Sequence, residues 1–225
     1  MVNGYTAGVY ALNSSGSYKG YRNKGPGARY GSRHNDKYTG NDNDNKFSGR
    51  GGNDAIYGRG GDDTLHGNDG HDKIWGGDGD DYIVGDKGRD SMNGEAGNDL
   101  LKGESNHDWL FASTGNDTLD GGSGNDTFVF SKNGTTGRDR VQAGDRQVVD
   151  GGSGNDTLVI DEHWTLDRTS SNGNKIFKHD NGALLEVSNV ENVELAGNTM
   201  SMESYESFVK FVKAFGNTNF GNMGK

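Results

Sequence analysis

Cysteine is absent, proline occurs once, and apolar residues make up only 29% of the 225 residues. Without cysteine there are neither disulfides nor thiolate metal sites, so a chain of this kind outside the cell needs another staple. The small apolar share excludes a large core of packed side chains. No apolar run approaches the length of a membrane span. From Met1 to Ser15 there is neither the basic start nor the apolar stretch of a secretory signal peptide, so any export is expected to use another route. His-Glu-x-x-His and Gly-x-Ser-x-Gly are both missing, as is any His-x-x-x-His pair, and no catalysis is expected. What is plentiful is glycine, with 40 residues, and negative charge, with a net value of −10. Such a balance suggests disorder unless a cation intervenes, and it argues against a nucleic-acid partner. The charge is uneven: Lys19, Arg22, Lys24, Arg29 and Arg33 stand in the first 35 residues without one acid, leaving 18 bases against 33 acids.

The glycines are periodic. From Gly31 to Val129 the chain divides into eleven nine-residue units without insertion or deletion. The first place is Gly in all but Ala112, and the fourth is Gly from Gly52 through Gly97 and again at Gly115 and Gly124. The sixth is Asp in every unit except the second, which has Asn45, and the eighth is always apolar. The pattern is G-G-x-G-x-D-x-U-x, with U apolar. A six-residue turn followed by a three-residue strand satisfies it, the apolar residue pointing inward. Two units then make a coil of 18 residues, and eleven make about five and a half coils, a stack roughly 25 Å long at the strand spacing of ~4.8 Å. Two inner ladders are expected: Tyr38, Ile56, Ile74, Met92, Leu110, Phe128 and Phe47, Leu65, Ile83, Leu101, Leu119. Their aromatic rings fall at the ends, where a wide side chain plugs an open coil. The fold class is therefore all-β, a right-handed parallel β-roll.

The remaining segments read differently. Residues 1–30 form a basic, Tyr-rich flank, suited either to capping the first coil or to binding a polyanion. The roll spans 31–159 and is interrupted at 130–150, where Gly137, Asp139 and Val141 resemble a decayed unit before Gly151 to Val159 restores a full one. A β capping region is expected over 160–199, with strands near Leu158–Ile160, Lys175–His179 and Ala183–Val187 and a turn at Asn181-Gly182. Over 200–225, Phe208, Phe211, Val212 and Phe215 at helical spacing predict an amphipathic helix with Ser204 as N-cap, then a polar tail. Outer positions read every 18 residues give one aromatic face, with Tyr57, Trp75 and Phe111 and with Trp109 on the same sheet. That face is either covered by a flank or, with Arg50 and Arg59, available to an anionic polysaccharide.

The turns carry the chemistry. Ca²⁺ takes six or more oxygens in flexible geometry, from carboxylates and carbonyls. Glycines at places one and four are expected to adopt φ > 0, curling carbonyls inward. The carboxylates would come from Asp36, Asp54, Asp63, Asp72, Asp81, Asp90, Asp99, Asp108, Asp117, Asp126 and Asp156. Carbonyls would come from Gly49, Gly58, Gly67, Gly76, Gly85, Gly94 and Gly121 at place one and from Gly51, Gly60, Asp69, Asp78 and Ser123 at place three. About six to eight Ca²⁺ ions are expected, the turns with His34, Asn43, Asn45, Asn106 and Ala112 being weaker. Mg²⁺ and Zn²⁺ suit this donor set poorly.

Residues 31–159 resemble the RTX, or haemolysin-type, calcium-binding β-roll, whose signature is this nonapeptide. The resemblance implies a monomeric module of a protein secreted from a Gram-negative bacterium by type I secretion machinery, folding outside the cell where calcium is available. The segment from Asp156 to Gly197 is similar to the capping regions that follow such rolls. An alternative relative is the polysaccharide-binding R-module of alginate epimerases.

Overall fold

The computed structural model describes residues 21–22, 28–130, 141–195 and 197–215. Two ten-stranded sheets face each other. One contains Tyr21–Arg22, Lys37–Thr39, Ala55–Gly60, Lys73–Asp78, Ser91–Ala96, Trp109–Phe111, Thr127–Phe130, Thr157–Ile160, Asn192–Leu195 and Asn198–Ser201. The other contains Ala28–Tyr30, Lys46–Gly51, Thr64–Asp69, Tyr82–Lys87, Leu100–Ser105, Thr118–Asp120, Arg146–Asp150, Leu184–Ser188, Lys175–His179 and Trp164–Thr169. The chain alternates between sheets, so each strand lies parallel to the one a full coil away, Ile56 beside Ile74 and Leu65 beside Ile83. This is a parallel β-solenoid of about six turns with, among the described residues, one short helix near its C-terminal end.

Both inner ladders form with the expected members, from Tyr38 and Phe47 to Phe128 and Leu119, none more than 2% exposed. Fully burying each large apolar side chain contributes about 1.5–3 kcal/mol. The core is thus a filament of side chains between two sheets, which is how a chain with so few apolar residues can have one. The rings are not confined to the ladder ends. Tyr38 and Phe47 do stack across the first coil, with ring centroids 4.2 Å apart. Beyond Phe128, however, the same ladder continues through Leu158 and Val193. The far end is closed instead by Phe130 against Trp164 and Phe177 against Tyr205. Trp164, 1% exposed, also donates its indole N–H to the Phe130 carbonyl.

Lys37–Thr39, Trp109–Phe111 and Thr118–Asp120 have the three residues expected, but the strands between them are longer. From Lys46–Gly51 to Leu100–Ser105 each has six, because places two and three of the following turn also pair, as Arg59 does with Gly77 and Gly60 with Asp78. The coil interrupted after Phe130 resumes in register: Leu119 pairs with Val149, a step of 30 residues in place of 18. Gly137 and Asp139, read as part of a decayed unit, lie outside the described residues. The half-coil that completes the turn is 142–150, with Gln147 at the sixth place and Val149 at the eighth. Parallel stacking then runs one coil past the last nonapeptide, through Leu184–Ser188 and Asn192–Leu195. Antiparallel neighbours finish each sheet: Lys175–His179 with Trp164–Thr169, and Asn198–Ser201. At the other end Tyr21–Arg22 and Ala28–Tyr30 extend the two sheets by one strand each.

The helix, Met202–Phe215, follows directly on the strand Asn198–Ser201. Ser201, not Ser204, is its cap: the Ser201 hydroxyl oxygen accepts the Ser204 N–H at 3.2 Å, because the helix begins where the chain leaves the strand. Met202 and Tyr205 are buried, and Glu206 pairs with Lys175 of the hairpin at 2.5 Å. The side chains of Phe208, Phe211, Val212 and Phe215 lie outside the described set. No helix among the described residues is long and apolar enough to cross a membrane.

Leu65 is fully buried mid-ladder. Leu65→Ala is expected to lower the unfolding free energy by about 3–5 kcal/mol, read from urea titration in saturating calcium.

Candidate metal centre

The sixth-place carboxylates are divided in use. From Asp54 onward one oxygen of each accepts the backbone N–H of the sixth residue one coil earlier, Asp36 N–H to Asp54 Oδ1 at 2.7 Å, Asp54 to Asp72 at 2.6 Å, Asp72 to Asp90 at 2.7 Å, whereas Asp36 accepts the Ser32 N–H of its own turn. The other face of the roll repeats this through Asp63, Asp81, Asp99 and Asp117. The second oxygen of Asp54, Asp63, Asp72, Asp81, Asp90, Asp99, Asp108, Asp126 and Asp156 is buried with no hydrogen-bond donor among the described residues, as is Oδ1 of Asp36. A buried carboxylate oxygen without a partner costs several kcal/mol if charged. Ten of them in rows require either protons or a cation.

The first-place glycines have a different reason from the one expected. None has positive φ; the left-handed residues are those at places two and four. Place one is Gly for space. A β-carbon on Gly58 would lie 2.0 Å from Asp63 Oδ2 and 2.4 Å from the Gly76 carbonyl oxygen. On Gly103 the corresponding distances are 2.5 Å to Asp108 Oδ2 and 2.6 Å to Gly121 O. The unpaired carboxylate oxygen and a carbonyl of the next coil therefore converge on one point, beside a backbone that only glycine can form. At place four both causes act: Gly88 has φ of 134°, and its β-carbon would meet Gly70 O at 1.4 Å. At place two, Arg50, Arg59, Asn68, Asp86, Glu95 and Glu104 are left-handed although they carry side chains.

A second ladder was not anticipated. The fifth place looks variable, yet its side chains accept N–H groups from the next coil. Asn35 Oδ1 takes the Asn53 N–H at 2.8 Å, Asp62 Oδ1 that of Asp80 at 2.9 Å, and His71 Nδ1 that of Arg89 at 2.8 Å. Asn, Asp or His fills this place in ten of the eleven units, Arg89 being the exception. That bias towards acceptors was visible in the sequence and is the signal that could have found it.

The predicted ligands are brought together unequally. Asp117 differs from its neighbours: both its oxygens are engaged, by the N–H groups of Asp99 and Ser113. The Asp69 carboxylate faces Lys87 at 3.1 Å at the surface, so only its carbonyl is available to a turn, and the exposed Asp78 is alike. Ser123 Oγ is directed to the Glu104 carbonyl. Past the repeat, Glu191 Oε2 accepts the Asp156 N–H at 2.7 Å and takes the sixth-place role. On the outer face Tyr57 and Trp75 stack in parallel, with centroids 4.6 Å apart, and Lys37 lies over Tyr57. Trp109, 51% exposed, is in contact with Phe111. Arg50 does not join them, since it belongs to the opposite sheet and covers Tyr30, whereas Arg59 shares the Tyr57 strand.

Burial raises the carboxyl pKa values well above the ordinary 3.8. Asp54, Asp63, Asp81 and Asp90 rise to about 7, and Asp99 and Asp108 to about 8, with repulsion along the row adding to the desolvation. Asp72, Asp126 and Asp156 rise to about 6. Among the described residues no three His, Asp or Glu side chains cluster, so a cation here would need main-chain carbonyls beside single carboxylates from successive turns. Such all-oxygen sets suit Ca²⁺.

A parallel roll with carboxylate-lined turns at nine-residue spacing defines a calcium-binding repeat architecture. The family described as RTX calcium-binding nonapeptide repeat (4 copies) matches residues 30–65, 57–92, 66–101, 102–130 and 133–158, more than half of the chain. The chain belongs to the RTX family. No curated protein matches it significantly.

Two outcomes follow for the turns. Gly58→Ala should weaken calcium binding by at least tenfold, about 1.4 kcal/mol, measured by calorimetry, since its methyl falls on the converging oxygens. In chelator the folded state binds more protons than the unfolded one, because its carboxyls titrate near 6–8 and not 3.8. This contribution is full below pH ~3.8 and is lost as pH rises through about 6–8. With calcium the sign reverses, as protons compete for the same oxygens. In EDTA the β signal in circular dichroism, absent at pH 8, should therefore partly return at pH 5, whereas in saturating calcium the melting midpoint should be lower at pH 5 than at pH 8.

Proposed function

We propose that this chain is a calcium-dependent folding module of a secreted protein, its roll assembling outside the cell when calcium fills the turns. The observation that carries this is the row of buried carboxylate oxygens that no donor among the described residues satisfies. Ions between successive turns supply the missing partner and staple one coil to the next. The ligands are the sixth-place aspartates with carbonyls of adjacent turns, and about six to eight ions suit the rows. Each ion present at about 100-fold above its Kd adds about 2.7 kcal/mol to the folded state. Several together exceed the whole stability of a typical domain, about 5–15 kcal/mol.

At low calcium the same carboxylates repel one another, which keeps the chain unfolded and suits export by type I machinery. The roll acts as a monomer and as a structural unit, with the segment after Asp156 closing its last coil. The family is a structural calcium-binding one, and no catalytic role is assigned here.

Circular dichroism decides the main point. The β signal should appear on adding calcium, with a cooperative transition, and disappear with EDTA, while Mg²⁺ should not replace calcium. A β-rich spectrum indifferent to the chelator would exclude the proposal.

A further inference from the structure

In two turns a side-chain amide meets the carbonyls of the turn. In the turn 40–45 the sixth residue is Asn45, and its amide nitrogen donates to the carbonyls of Asn41, at 3.2 Å, and Asn43. In the turn 112–117 the amide nitrogen of Gln147, which is the sixth-place residue of the next coil, donates to the Gly115 carbonyl at 2.7 Å and the Ser113 carbonyl at 3.4 Å. Both amides thus bridge the carbonyls at places two and four of one turn. The orientation of each is fixed by chemistry, since carbonyls only accept and so the nitrogen must face them. The amide oxygens confirm it: Asn45 Oδ1 accepts the Tyr38 hydroxyl at 2.8 Å, and Gln147 Oε1 accepts the Asp117 N–H at 3.2 Å.

Two further features of these turns agree. Neither contributes an unpaired buried carboxylate oxygen, because Asn45 has no carboxylate and both oxygens of Asp117 hold backbone N–H groups. At place one of the second turn stands Ala112, the single unit without Gly there, which brings a β-carbon to the place where carboxylate oxygens converge elsewhere. The two turns are also not scattered. Along one side of the roll the sixth-place row reads Asn45, Asp63, Asp81, Asp99, Asp117, Gln147, with an amide at each end. The opposite row is Asp36, Asp54, Asp72, Asp90, Asp108, Asp126 and Asp156, ending on Glu191, with carboxylates throughout.

Resting on the calcium reading, we infer that Asn45 and Gln147 occupy the cation positions of their turns, so that these two turns fold metal-free and calcium on that side is confined to the stretch between them. The amide N–H groups meet carbonyls of the turn without a charge to balance, in the two turns that have no unpaired carboxylate oxygen. Both ends of one calcium row are thereby closed by neutral groups.

The test is to count and locate ions. Crystals of the full chain grown in calcium, with anomalous scattering at the calcium positions, should show ions against Asp72, Asp81 and Asp90 and none in the turns 40–45 and 112–117. Calorimetric stoichiometry should rise by one ion per chain in Asn45→Asp and by one in Gln147→Glu. Each variant should need more calcium than the parent to reach half of its β signal, because its carboxylate faces bare carbonyls until an ion arrives, and should match the parent's melting midpoint in saturating calcium. A calcium ion in either turn of the parent protein overturns the inference. So does a folded variant whose stoichiometry is unchanged. Ions absent from the whole roll would instead bring down the calcium reading itself, and the inference with it.

Discussion

Each turn of this roll is tied to its neighbours by two hydrogen-bond ladders that run in opposite senses. The sixth-place carboxylate holds an N–H of the preceding coil, and the fifth-place acceptor holds an N–H of the following one. The ladders fix the spacing of the coils, and the spacing fixes the rest. Stacked turns at this distance leave no room for a β-carbon at place one, and they set the apolar eighth residues directly over one another. In every nonapeptide turn except 40–45 and 112–117 one carboxylate oxygen has no donor left among the described residues, and that surplus is what a cation would satisfy.

The same constraint explains why an irregular stretch does not break the stack. Between Phe130 and Val141 the chain departs from the nonapeptide, yet Asp126 still receives its partner from Asp156, 30 residues on. Sequence distance does not matter as long as an acceptor arrives at the right level. Gln147 and Glu191 do so without any glycine pattern around them, and so the parallel sheets extend beyond the last recognisable unit. The hairpin of Trp164–Thr169 and Lys175–His179 ends one sheet with antiparallel pairs.

The repeat made the inner ladders legible residue by residue, because the eighth place has one environment in every coil. The row of sixth-place aspartates was legible too, as was the oxygen chemistry it implies. Less was visible where a residue type has two explanations. Glycine at place one reads as conformational freedom, but its φ is ordinary and the cause is a neighbour, which no local rule reveals. Acceptors at place five look like solvated turn residues until the next coil is laid on them. The resumption at Gln147 could not be read, since an amide replaces the carboxylate and 142–150 lacks the glycines. Ser201 was missed as a cap because the strand before it was not foreseen. The role of Phe128 was misjudged for the same reason, the coils beyond it having no periodic signature.

At place two, Arg50, Arg59, Asn68, Asp86, Glu95 and Glu104 sit with φ between 71° and 87°. A left-handed backbone costs a residue with a β-carbon about 1–2 kcal/mol. Asn and Asp tolerate it, but Arg50, Arg59, Glu95 and Glu104 together store strain of about 4–8 kcal/mol, comparable to the net stability of a domain. The roll is therefore spring-loaded against its own folded form. Occupied by cations, it can hold the spring closed; as occupancy falls, the stored strain and the freed charges act in the same direction. The expected behaviour is a threshold, with the roll shut or open over a narrow range of calcium and little time spent half-wound.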